Sequence, residues 1–260
     1  MSKQYIFIGT LLPDLKIGEK PDLDFSELMI LLKNNLSEED FAQVEIFRRY
    51  YDIMNMRALW RNDPFFPYGN LDRNELEEAV LDQENLPDYV IDFLQTYQSN
   101  TERLKHFSSL LAAYFQKEVK DAKGFLKDYL QFERQLRLIL VAFRAKELNR
   151  DLNLELEFES PEDDLVIQLL SAKDAKTFEP PPMFNWLRPV FEQHYENPLD
   201  LQKNLVEFQF NRIEDMIGFD VFSFDRILAY MAQLIMVEQW LLLDREKGIA
   251  IVDNILKESS

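Results

Sequence analysis

Two histidines, His106 and His194, are the only imidazoles in a chain of 260 residues that contains no cysteine. Imidazole and thiolate are the common ligands of zinc and common activated groups in acid–base and nucleophilic catalysis, so their scarcity narrows the available chemistry. Glu102 and His106 stand four residues apart on one helical face. Two ligands do not make a zinc site, however, and no His-Glu-x-x-His motif is present. Both histidines are therefore expected to be structural or surface groups. Glu162, Asp163 and Asp164 could hold a hard cation, but directly after Pro161 they read better as a helix start, where carboxylates complement the helix dipole. Neither Gly-rich phosphate loop occurs, and no serine elbow is present. No catalytic, cofactor-binding or metal-binding residue is assigned, and the expectation is a non-catalytic, cofactor-free protein.

The more informative chemistry is ionic. Between Gly124 and Arg150, residues Phe125, Tyr129, Phe132, Leu136, Ile139 and Phe143 recur at helical spacing as an apolar stripe. A second face mixes Leu126, Leu130, Leu140 and Val141 with Glu133, Arg137 and Arg144. Glu133 and Arg137 are spaced for an i,i+4 ion pair in the favourable order. Arg134, Arg137, Arg144, Lys146 and Arg150 form a basic band interrupted only by Glu147, and seven acids without a Lys or Arg follow between Asp151 and Leu170. Two readings fit this pattern. The band pairs with the acidic tract inside the chain, or it forms a docking stripe for an acidic helix of another protein. A buried arginine would require full pairing, since stranding it costs several kcal/mol.

The elements that must position these groups are nearly all helical. Asp24 or Ser26 can cap a helix through about Lys33. Ser37-Glu38-Glu39-Asp40 resembles a capping box opening a helix to about Trp60, with Phe41, Val44, Phe47, Tyr51, Met54 and Ala58 on one stripe. Prolines and glycine make 63–70 a loop whose aromatics should pack back on the body. Further helices are expected at about 72–84, 87–98, 101–119, 183–194, 199–217 and 223–246, followed by a final short one. Gln4 to Leu12 reads as a short strand or a helix start. Leu152, Leu154, Leu156 and Phe158 alternate like a strand but could continue the preceding helix. The fold class is all-α, a multi-helix bundle of repeated units with at most a minor strand. Three regions are expected, 1–120, 121–178 and 179–260, packed as one continuous body or two helical units. Glu179-Pro180-Pro181-Pro182 gives the clearest linker signal.

Composition supports a folded protein with a large core: 47% of residues are hydrophobic, and 21 are Phe. A net charge of -18 opposes nonspecific binding to nucleic acid or an anionic membrane and favours a basic partner. The amino terminus lacks a cleavage-site pattern, and Ile227 to Leu243 is read as too short and too polar to span a bilayer. With no cysteine, a cytoplasmic location is expected.

Phe132-Glu133-Arg134-Gln135-Leu136 is echoed by Val237-Glu238-Gln239-Trp240-Leu241, and in both places a glutamate interrupts an apolar run. At these residues the chain resembles the C subunit of V-type ATP synthases, the counterpart of the eukaryotic d subunit. Phe224 to Tyr230, Glu238 and Lys247-Gly248 look like one occurrence of that family's repeated helical pattern. Tyr129, Glu133, Arg137, Arg144 and Lys146 look like another. The opening, Tyr5 to Pro13, resembles a poorly characterised bacterial family encoded among V-type ATP synthase genes. The resemblance implies funnel-like helical units and a non-catalytic role coupling the central rotor stalk to the membrane ring. It further implies a site at the cytoplasmic face of the inner membrane, reached through protein contacts alone. Glu133, Arg134, Arg137, Arg144, Lys146, Tyr230 and Glu238 are the candidates for partner binding or helix packing, with packing ranked first. The alternative is a helical adaptor or assembly factor without a rotary role.

Overall fold

The computed structural model describes residues 4–173 and 179–258, with side chains described through Leu243. Among the described residues there are thirteen α-helices and no strand, as expected for an all-α chain. They are α1 Ile6–Leu11, α2 Phe25–Asn35, α3 Glu38–Arg61, α4 Arg73–Asp82, α5 Asp88–Thr96, α6 Asn100–Lys105 and α7 Phe107–Asp121. Then follow α8 Gly124–Glu147, α9 Leu152–Glu155, α10 Asp164–Ser171, α11 Leu187–His194, α12 Pro198–Met216 and α13 Phe224–Glu258, with a short 3₁₀ turn at Pro182–Phe184.

Local chemistry accounts for most boundaries. Asp24 closes a capping box with Glu27 at the start of α2, Asp72 does so with Glu75 at α4, and Ser99 with Glu102 at α6. Ser37 accepts from the Asp40 amide at α3, and Tyr5 donates to the same Asp40 carboxylate. The segment expected as one helix over 101–119 is broken at His106, whose backbone (φ -102°, ψ 19°) separates α6 from α7. Gly124 takes φ 51°, a left-handed turn that a side chain would strain, where α7 gives way to α8. At the far end of α8, Asn149 (φ 51°) lets Arg150 N–H reach the Ala145 carbonyl and Asn149 N–H reach that of Lys146. This is a Schellman stop.

Three sequence readings are settled by longer-range packing. The alternating run after α8 is neither strand nor continued helix: Leu152–Glu155 forms a single helical turn, burying Leu152 and Leu156. The amino-terminal apolar run is helical. The expected break before a final short helix does not occur, since α13 runs on through Gly248 to Glu258. By length and composition, Phe224–Leu243 is also long and apolar enough to cross a membrane, contrary to the sequence reading, although 61% of that window is buried inside the protein, as in a core helix.

The chain forms two compact units, one of residues 1–41 with 185–260 and the other of residues 42–184. The first unit joins both ends of the chain, and the second is formed by its middle. In the first unit α13 packs against α12, α2 and α1, with Ile227 to Val237 buried on every side. In the second, α8 packs against α7, α9 and α10. The loop after α3 is clamped to that helix by a polar row at i, i+4 and i+7. Arg48 donates to the carbonyls of Tyr68 and Gly69, Asp52 accepts from Leu71 N–H (3.1 Å) and Asn70 (2.8 Å), and Asn55 pairs both ways with the Phe66 backbone. A Cβ on Gly69 would come within 2.5 Å of Asp52 Oδ1, so the close approach depends on glycine. Tyr68 packs back as expected, whereas Phe66 stays exposed.

Candidate functional site

In the second unit, α8 carries its whole predicted apolar stripe inward: Phe125, Tyr129, Phe132, Leu136, Ile139 and Phe143 are all buried. Leu126, Leu130 and Leu140 on the mixed face are buried too. The charges between them thus lie at the edge of the core. Glu133 is half-buried and raises the pKa of four buried or half-buried tyrosines. Burial first, then its negative charge, pushes the Tyr50 hydroxyl up to about 12. Tyr51, Tyr114 and Tyr129 are raised chiefly by burial, with Glu133 adding to it.

The arginines converge on a residue that the helix itself does not contain. Glu159, whose side chain is 3% exposed, accepts from Arg134 Nε (3.2 Å) and Nη2 (2.8 Å) and from Arg137 Nη2. Arg134 Nη1 also reaches Asp163 at 2.7 Å. Asp163 serves a helix start as well, for its other oxygen accepts from the Leu165 and Val166 amides and caps α10. Burial lowers the Arg134 guanidinium pKa, but the bonds to Asp163 and Glu159 outweigh it and hold the group above its ordinary value. At Arg137 burial wins over Glu159, and the pKa is lowered. Arg137 also lies 5.7 Å over the Phe115 ring, and its Nε has no acceptor. The geometry is a latch. Two cations one turn apart on α8 hold the acidic connector, and removing either side of the contact would leave a buried charge without its partner.

The rest of the basic band is put to different uses. Lys146 donates to the Ala172 carbonyl at the end of α10 (2.8 Å), where a cation offsets the helix dipole. Arg150 reaches Glu155 at 3.4 Å on the surface. Arg144 is exposed and has no carboxylate partner among the described residues. In the first unit, Glu238 accepts the Phe25 N–H at 2.9 Å and so caps α2 from α13. Tyr230 is 6% exposed, with no partner for its hydroxyl; burial and then the charges of Asp22 and Asp14 raise its pKa. The seven candidate residues therefore do not form one cluster. Arg134 and Arg137 come together with Glu159 and Asp163, while Tyr230 and Glu238 belong to the other unit. Glu159 was missed because nothing local separates it from Glu155 or Glu157. His106 stacks on Tyr97 at 4.6 Å, an aromatic contact. Among the described residues no group of three or more His, Asp or Glu is placed to hold a metal ion.

These features define an all-helical protein whose conspicuous charges tie its own elements together. The chain belongs to the family described as "Protein of unknown function (DUF2764)", whose model matches residues 1–259. It is 31% identical to an uncharacterized protein of Chlamydia pneumoniae, over 98% of each chain. It is 27% identical to uncharacterized proteins of Chlamydia muridarum and Chlamydia trachomatis serovar D, again over 98% of each. No solved structure matches.

Proposed function

We propose that this protein is a non-catalytic, C-like subunit of a V-type ATP synthase or ATPase, coupling the central rotor stalk to the membrane ring at the cytoplasmic face of the membrane. The observation that carries the reading is the placement of the echoed motif. Each of the two units contains one long helix in which a half-buried glutamate interrupts an apolar run, Glu133 in α8 and Glu238 in α13. Such a unit suits a part that transmits force, because its charges stiffen helix packing and leave the outer faces to partners. The latch consumes Arg134 and Arg137, so stalk contact falls to exposed groups, Arg144 first among them.

The test is affinity purification of the tagged full chain from its native cell at low salt, with the copy number of each co-eluting subunit measured. One copy per complex is expected, retained with the rotor stalk, and weaker retention with Arg144→Glu at unchanged helicity. A substoichiometric amount would assign the chain to assembly instead, and absence of rotor subunits would end the rotary reading.

A further inference from the structure

Exposed apolar side chains gather at one place in the unit of residues 1–41 and 185–260. In α1 only Ile8 is buried, whereas Ile6, Phe7 and Leu11 are exposed, Phe7 at 60%. At about 100° per residue these three fall within about 140° of one another around the helix, on one face. Thr10 lies between them, and its hydroxyl bonds back to the Phe7 carbonyl at 2.9 Å. The loop before α13 adds Val221, which is exposed, and Phe219, which is wholly so.

Backbone contacts join these segments into one surface. Tyr5 N–H donates to the Phe222 carbonyl at 2.8 Å, and the Tyr5 ring meets Phe224 edge-on at 6.3 Å. A Cβ on Gly9 would lie 2.7 Å from the Phe222 ring and 3.1 Å from the Val221 carbonyl, so α1 rests directly on the loop. The loop is itself braced, because Asp220 accepts the Phe222 N–H at 3.0 Å. Tyr5 also ties in the start of α3, where its hydroxyl donates to Asp40 and accepts from the Ser37 N–H at 3.3 Å.

The charges around this face have one sign. Segments 4–15, 37–40 and 218–223 contain Asp14, Glu38, Glu39, Asp40 and Asp220, and no Lys or Arg. All of these acids except Asp40 are exposed. The five apolar side chains present on the order of 500 Å², the upper end of what a monomer leaves bare in one patch. With its polar rim, such a centre suits an interface of about 800 Å² per partner.

We propose that this face docks the apolar side of a basic amphipathic helix from another protein. Charge decides among the occupants. A second copy would set the same acids against each other in a chain of net charge -18, and an anionic membrane would be repelled by them. A helix with Lys and Arg flanking an apolar stripe meets both features at once, covering Phe7 and Phe219 while its cations reach the acids. The inference does not rest on the rotary reading, whose Arg144 belongs to the other unit.

The probe is a labelled peptide of about five helical turns with leucine on one face and lysine on the other. Its binding to the full chain is read by fluorescence anisotropy at physiological ionic strength. Saturable binding is expected, and a scrambled peptide of the same composition should bind about tenfold more weakly. Phe7→Ser and Phe219→Ser should each weaken binding about tenfold. The double variant Glu38→Gln, Glu39→Gln should also weaken it and flatten its salt dependence. Leu81→Ser, at an exposed leucine of α4 in the other unit, should change nothing. Because Phe219 is wholly exposed, its variant keeps the test decisive even if Phe7→Ser loosens α1. No saturable binding overturns the proposal, as does equal binding of the scrambled peptide or equal weakening by Leu81→Ser and Phe219→Ser. A dimer in sedimentation equilibrium that Phe219→Ser dissociates would give the face to a second copy. Binding to phosphatidylglycerol vesicles that the same variant abolishes would give it to a membrane, and either result overturns the proposal.

Discussion

Replacing Glu159 by alanine should unlatch the connector from α8, and the cost can be worked from the contacts. The carboxylate is 3% exposed, and the Arg134 and Arg137 side chains it binds are 15% and 20% exposed. Removing one partner of a buried pair costs about 3–5 kcal/mol, because the other charge is left without compensation. Arg134 keeps Asp163 at 2.7 Å, so Arg137 alone is stranded. Partial exposure of Arg137 puts the expected loss at the low end, about 3 kcal/mol, or roughly a hundredfold in the folding equilibrium. Trp60 is the sole tryptophan of residues 42–184, so its fluorescence in a Trp186→Phe, Trp240→Phe background follows that unit through a urea titration. The double variant Glu159→Ala, Arg137→Met should be less destabilised than the sum of its single changes, because removing the stranded cation removes the penalty. A loss under about 0.5 kcal/mol for Glu159→Ala, or strict additivity in the cycle, would refute the latch as a buried ionic contact.

Two other outcomes follow from the same physics. Burial lifts the Asp52 carboxyl above its ordinary 3.8 in spite of the bonds from Leu71 and Asn70, so the folded chain holds this proton where the unfolded chain has released it. Its contribution favours folding at low pH and is lost as pH rises through the folded value. Asp52→Asn, which does not titrate, should therefore gain stability relative to the parent across that window and then level off; a difference constant with pH, in urea titrations at several pH values, would contradict this. Glu238→Ala removes the acceptor of the Phe25 amide and should cost about 1 kcal/mol, as loss of a helix cap does. Hydrogen exchange at Phe25 should quicken, and unchanged protection there would show that Glu238 is no cap.

What was legible in the sequence was local. The helical period placed α3, α8 and α12 and the buried stripe of α8, and Asp24, Asp163 and the run from Ser37 to Asp40 marked helix starts, because a cap bonds amides within three residues of itself. Absence of cysteine and scarcity of histidine likewise limited the chemistry without any structure. The basic band and the acidic tract were visible as opposite charges, and internal pairing was one of the two readings open. Only the tertiary structure decided that Glu159 and Asp163 take Arg134 and Arg137, that Glu133 faces tyrosines, and that Glu238 caps a helix 213 positions away in sequence. The reason is physical. An ion pair 22 or 25 residues apart depends on how the connector turns after Leu152, and that turn is set by which leucines find the core. The seven acids of the tract are alike as charges, and only the fold brings the buried Glu159 and the half-buried Asp163, out of all seven, onto the helix.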